Sequence, residues 1–108
     1  TRRERTTALM MAAGAGQADS VRVLLENGAN IHKKDRNGWT PLFYAAKSAS
    51  FRCIQLCVEA GAKIDLKDAD QVPLMIYAAK YVTDRRKMPN APADLEQIMP
   101  YLQEKEGR

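Results

Sequence analysis

The chain has 108 residues, 45% of them hydrophobic and 28% charged, enough for one folded domain with its own core and too apolar for a disordered tail. A formal net charge of +4 favours an acidic partner but falls short of the charge density of a dedicated nucleic-acid binder. No apolar run approaches the roughly 18 residues of a membrane span, and the opening TRRERTTALMM lacks the apolar stretch of a signal peptide.

The first recognisable element is Thr7-Ala-Leu-Met-Met-Ala-Ala13, a short helix rich in small residues. The stretch GAGQAD at Gly14–Asp19 has two glycines of a phosphate-binding loop but no third and no preceding strand, so it reads as a helix–helix turn. Val21, Leu24 and Leu25 then make one apolar helical face. Gly28 ends that helix at a left-handed C-cap. Turn formers follow, with Ile31 as their apolar anchor, up to Trp39.

The same elements return 33 residues later: Thr40-Pro-Leu-Phe-Tyr-Ala-Ala46 repeats Thr7–Ala13, Ile54, Cys57 and Val58 repeat Val21, Leu24 and Leu25, and Ala60-Gly-Ala-Lys-Ile64 repeats Asn27–Ile31. Asp35 returns as Asp68. Thr40 is an N-cap residue and Pro41 suits the first helical position, where its missing N–H costs nothing. A third copy starts at Asp68 and carries Tyr77-Ala-Ala79 in register with Tyr44-Ala-Ala46. Neither short helix of a unit buries its face alone, so stacking of units makes the core.

The third unit carries an insertion, because Ala13 to Val21 and Ala46 to Ile54 are eight residues but Ala79 to Leu95 is sixteen. Pro89 and Pro92 predict a loop after one more helical turn, Asp94 with Gln97 predicts a capping box that restarts a helix, and Pro100 should kink or end that helix. The polar tail LQEKEGR has the character of a capped solenoid end. A start on Thr1 rather than Met suggests an excised domain or a processed product, and Met10 and Met11 in the first unit suggest that repeats were removed ahead of it.

The segment DRNGWTPLFYAAKSASFRCIQLCVEAGAKIDLKD resembles an ankyrin repeat, in the pattern D-x-x-G-x-T-P-L-H-x-A-A…V-x-x-L-L-x-x-G-A-x-I/V. The resemblance covers residues 2–34 and 35–67 without a gap and continues in register from Asp68 to about Tyr81. Phe43 and Met10 stand where the family prefers His, Ala49 where it prefers Gly, and Gln71-Val72-Pro73 replaces Gly-x-Thr, which puts the third hairpin's geometry in question. The resemblance implies a mainly α solenoid of stacked helix-turn-helix units joined by β-hairpin loops. It divides one domain, 1–108, into repeats 2–34, 35–67 and 68–108, the last with its insertion within 82–93.

Nothing in the chain composes an active site. His32, the sole histidine, falls in a turn without a nucleophile or metal-ligand set beside it. Cys53 and Cys57 are an incomplete soft-metal set and read as core residues of a protein from a reducing intracellular compartment, cytoplasmic or nuclear. The resemblance therefore implies a non-enzymatic, cofactor-free and monomeric module that binds a partner protein as an adaptor or regulatory domain, and the basic balance predicts that this partner is acidic.

Carried over residue by residue, the family's concave recognition surface holds Arg3 and Glu4 in the first unit, Lys34, Arg36, Asn37, Trp39, Lys47 and Ser48 around the second, and Lys67, Ala69, Asp70, Val72, Lys80 and Tyr81 around the third. Arg85, Arg86 and Lys87 extend this basic field if the insertion folds toward it. Trp39, beside Arg36 and Lys47, has the composition of a presented hot spot; packing onto the neighbouring hairpin is the alternative. A second class of function, binding of nucleic acid or acidic lipid headgroups through the same basic residues, would show as a steep salt dependence.

Overall fold

A computed structural model describes residues 7–106. The stack is built from α1 (Ala8–Gly14), α2 (Ala18–Glu26), α3 (Pro41–Ser48), α4 (Phe51–Glu59) and α5 (Leu74–Arg86), followed by a 3-10 turn over Ala93–Gln97 and α6 (Ile98–Glu106). Helices α1, α3 and α5 pack in sequence as an inner layer; α2, α4 and the 3-10 turn with α6 form the outer layer. The core runs through both, from Leu9 and Val21 through Leu42, Phe43 and Ile54 to Leu74, Leu95, Ile98 and Leu102, all buried. The third unit's outer helix thus keeps the register expected from Leu95 despite the insertion.

Small residues set the spacing of the inner layer. Ala45 and Ala78, one unit apart, are fully buried, as are Ala13 and Ala46. Alanine has no side-chain entropy to lose in a helix and lets the next helix approach closely.

The outer helices end as the glycines require. Gly28 and Gly61 have φ of +90 and +102. In each case the glycine N–H and the following alanine N–H return to carbonyls of the last turn: Gly28 to Leu25 at 3.1 Å and Ala29 to Leu24 at 3.0 Å, Gly61 to Val58 at 3.0 Å and Ala62 to Cys57 at 3.1 Å. This paired closure satisfies carbonyls that a helix end leaves open.

Several local expectations change. Thr40 holds the N-cap position of α3, but its hydroxyl makes no capping bond and is buried without a partner. Thr7, its counterpart one unit earlier, does accept from the Met10 N–H at 3.1 Å. Burial of Thr40 removes the freedom that an exposed cap keeps.

The insertion is more helical than expected, since α5 runs to Arg86 before the loop begins. The capping box of Asp94 and Gln97 does not form; Pro92 precedes the 3-10 turn and no side chain caps it. Pro100 neither kinks nor ends α6, because the helix begins at Ile98 and Pro100 lies in its first turn. A proline there lacks only an N–H that has no helical partner, while its ring forbids regular α-helix over the preceding turn, which accounts for the 3-10 geometry ahead of it.

The connecting hairpins are reduced to tight turns, with one isolated antiparallel bridge between Lys67 and Pro73 among the described residues. The third unit's turn nevertheless copies the second's. The Asp35 N–H donates to the Trp39 carbonyl and the Asp68 N–H to the Val72 carbonyl, each at 3.0 Å. Gln71, at φ +66, takes the left-handed position that Gly38 takes at +77. Replacement of Gly-x-Thr by Gln71-Val72-Pro73 leaves the geometry intact.

Candidate functional site

Each turn is organised by an aspartate. Asp35 accepts the N–H groups of Asn37 at 2.8 Å and Trp39 at 3.0 Å with one carboxylate oxygen. Asp68 accepts those of Asp70 and Val72, both at 2.9 Å. The second oxygen of each receives a tyrosine hydroxyl from the following inner helix, Tyr44 on Asp35 and Tyr77 on Asp68. Both carboxylates are buried, so these bonds replace the water they lose. The recurrence of Asp35 and Tyr44 as Asp68 and Tyr77 was visible as part of the repeat, but nothing in the spacing said that the two residues bond each other.

Asp68 also joins neighbouring units, because the Trp39 Nε1–H donates to its Oδ2 at 3.1 Å. Burial pushes the Asp68 carboxyl up, but the Tyr77 hydroxyl, the Val72 N–H, the Trp39 indole and the Asp70 N–H together hold it below the usual carboxylate range. The bond to Asp68 pushes the Tyr77 phenol up to about 12.

Trp39 is packed as well as presented. Its ring stacks on Phe43 at 5.6 Å and meets Tyr44 and Tyr77 edge-on, each at 5.1 Å. It is half-buried. Expected to point away from the helix contacts, it belongs to the aromatic joint between the second and third units, because its indole N–H finds the buried carboxylate of the next turn. The turns also meet directly, the Ala69 N–H donating to the Asn37 carbonyl at 2.8 Å.

The other residues expected on the concave surface spread over the turn tips and the inner helices. Arg36, Asn37, Ala69 and Asp70 are exposed at the turn tips, and Val72 is half-buried behind them. Lys34 and Lys67, before each aspartate, are exposed. On the inner helices Lys47 is exposed, and Ser48 is half-buried with its hydroxyl donating to the Ala45 carbonyl at 2.9 Å.

Lys80 does not contribute a free cation. It pairs with Asp84 at 2.9 Å and lies 5.2 Å from the Tyr81 ring centroid. The Asp84 carboxylate holds its ammonium above the usual range. Tyr81 in turn stacks on Tyr77 at 6.2 Å. Arg36 and Lys47 carry no ion pair among the described residues, so the unpaired charge concentrates on the second unit. Arg3 and Glu4 lie outside the described residues.

The arginines at the end of α5 are tied to the following loop rather than extending the field. Arg85 donates to the carbonyls of Pro89 and Asn90 at 3.4 and 3.2 Å. Arg86 makes a two-pronged bond to Glu96, at 2.6 and 2.8 Å.

The remaining candidates are inward-facing or isolated. Cys53 and Cys57 are buried free thiols of α4. Burial raises both, and with Cys53 close by Cys57 reaches about 12, a state in which neither is a nucleophile. His32 is exposed, and its backbone N–H donates to the Asn30 side-chain oxygen at 2.8 Å in a local turn. Among the described residues no group of three or more His, Cys, Asp or Glu is placed to hold a metal ion, and no helix is long and apolar enough to cross a membrane.

A family model described as ankyrin repeats, three copies, matches residues 1–68. Protein HOS4 of Saccharomyces cerevisiae is 47% identical over 45 residues, which is 42% of this chain and 4% of that protein. Potassium channel AKT1 of Oryza sativa subsp. indica is 52% identical over 40 residues, 37% of this chain and 4% of the channel. The AKT1 channel of subsp. japonica matches equally. The chain thus aligns with a small part of each of these relatives.

Proposed function

The chain belongs to the ankyrin-repeat family, whose repeats mediate protein–protein interaction, and we propose that it is an adaptor or regulatory module that holds an acidic segment of a partner across its turn tips and inner helices. The observation that carries this reading is the unpaired basic pair of Arg36, in the turn before Trp39, and Lys47, in the last turn of α3. The rigid aromatic floor of Trp39, Tyr77 and Tyr81 gives a partner apolar area at little entropic cost. Asn37, Ser48, Ala69, Asp70, Val72 and Lys80 complete the contact surface.

The two buried thiols fit a reducing compartment, and the module acts in the cytoplasm or nucleus. It performs no catalysis of its own.

The test is affinity capture from a cell lysate with three forms: the native chain, the Arg36→Glu/Lys47→Glu variant, and an outer-layer control, Asp19→Lys/Glu26→Lys. Proteins retained by the native chain and the control but lost by the first variant support the reading, as does a loss with raised salt, since charged rims act mainly on association rate. Retention by both variants of the same partners would place binding on another face. Retention dominated by RNA or lipid would favour an anionic non-protein ligand instead.

A further inference from the structure

The loop after α2 and the loop after α4 border an open cleft of about 490 Å³ lined by His32, Lys34, Lys63 and Leu66. It uses no inner helix, and of the residues expected on the concave surface it takes in only Lys34, which is not among the contacts proposed above.

Its charge arises from how the repeat varies. A shift of 33 residues sets Lys63 against Asn30 and Asp65 against His32, so each loop supplies different groups and the two together supply three nitrogen bases. His32, Lys34 and Lys63 are exposed and carry no ion pair among the described residues. Two carboxylates stand nearby in sequence, Asp35 and Asp65, and neither lines the cleft. Asp35 is buried on its own turn and Tyr44. Asp65 lines the adjoining cleft with Lys63, Lys105 and Glu106.

We propose that this cleft binds a phosphate monoester carried by a partner polypeptide, a phosphoserine or phosphothreonine. Two ammonium groups and an imidazole lining one cleft from two loops match a tetrahedral dianion with several acceptor oxygens, whereas a single carboxylate would leave most of that charge unanswered. The cleft is larger than a phosphate group alone, and Leu66, half-buried, gives the carrying residue an apolar floor. The proposal rests on the reading of the chain as a protein-binding module, but its test does not need the partner of the inner surface.

The experiment is a titration of isotope-labelled protein at fixed ionic strength, followed by amide chemical shifts. The ligands are a short phosphoserine peptide, the same peptide unphosphorylated, inorganic phosphate, and vesicles containing phosphatidylserine. Saturable shifts confined to residues 30–34 and 63–66 are expected, with the phosphopeptide binding at least about tenfold more tightly than its unphosphorylated form. The Lys34→Gln/Lys63→Gln variant, with its fold checked by urea unfolding, should lose about tenfold in affinity, and Arg52→Gln, at an exposed position on α4, should lose nothing.

Equal affinity for the two peptides, shifts scattered over other lysines, or undiminished binding by the double variant would overturn the proposal. So would vesicle binding that depends on Lys34 and Lys63 without any preference for the phosphopeptide, which would make the cleft a lipid-headgroup site. Failure of Arg36→Glu/Lys47→Glu to lose partners strikes only the inner-surface reading and leaves the titration result standing.

Discussion

Gln71 and Ala49 occupy left-handed backbone, at φ +66 and +54, where units one and two elsewhere use Gly38 at +77 and Gly16 at +71. A residue with a Cβ is strained there by about 1–2 kcal/mol, partly offset because glycine loses more entropy on folding. Gln71 is exposed, so its side chain contributes no burial. Gln71→Gly should therefore stabilise by about 0.5–1 kcal/mol in urea unfolding. Gly38→Ala should destabilise beyond its backbone strain, because a Cβ there would lie 2.6 Å from the Ala69 backbone nitrogen. The aspartates give a signed pH dependence. Asp68 is held below its ordinary value in the folded state, so its contribution is complete above the unfolded value of about 3.9 and is lost as pH falls through the folded one. Tyr77 is raised from 10.0 to about 12, so its contribution is complete below the unfolded value and is lost as pH climbs through the folded one. Urea midpoints should fall at both extremes, and Tyr77→Phe should flatten the alkaline limb; an unchanged alkaline limb would mean that this hydroxyl is not held by Asp68. Trp39→Ala removes three ring contacts and the bond to Asp68 and should cost about 2–3 kcal/mol of folding stability, against the small cost expected of a ring that was only presented.

Helix ends separate what local sequence dictates from what it does not. Gly28 and Gly61 announce their C-caps because only a residue without Cβ adopts that backbone freely, and Pro41 announces the start of α3 by the same kind of local logic. The helix starts, the unit length and the buried face were legible for this reason. The position of Gly16 and Ala49 falls on Val82 in the third unit, and Val82 is buried within α5. A β-branched residue resists left-handed backbone, so α5 continues to Arg86 where α1 and α3 stop. That step could have been read from the register, whereas the joint of Trp39, Asp68 and Tyr77 could not, because side chains 29 residues apart in sequence are paired only by the stack. The insertion was misread at its edges because Asp94 has capping chemistry but the constraint of Pro100 prevails. Its ordered form narrows where it can be cut. Arg85 and Arg86 are helical and bonded, while Lys87 is the exposed C-cap residue before the loop. Limited trypsin digestion should cleave after Lys87 before Arg85 or Arg86, and Glu96→Gln should raise cleavage after Arg86, read by mass spectrometry. First cleavage at Arg86 in the native chain would show that the pair with Glu96 does not hold the helix end.

As a whole the molecule is a short one-dimensional stack in which each unit touches only its neighbours, so stability is set by unit interfaces as much as by units. The second unit has a neighbour on both sides: α3 packs on α1 and on α5, and Phe43 lies buried toward Trp39 and Tyr77. Ile76, one unit on from Phe43, is 59% exposed, so burial at a given repeat position depends on what packs beside it among the described residues. The same comparison applies to the alanines of the close contact. Ala45 is fully buried between helices, whereas Ala12, its counterpart in α1, is only partly buried. Adding three carbons to Ala45 forces α1 and α3 apart or drives side chains off their rotamers, and either response also disturbs the turn contacts that continue to α5. Ala45→Leu should destabilise by about 1–3 kcal/mol, and Ala12→Leu by less than about 1 kcal/mol. Urea unfolding of the two variants decides the matter. Equal losses would mean that both alanines sit in equivalent interfaces, and no loss at Ala45 would remove close helix approach as the principle of the stack. Since the central unit couples the ends, Ala45→Leu should also broaden the transition and lower its denaturant dependence as the units cease to unfold together, an effect that Ala12→Leu at the first unit should not produce.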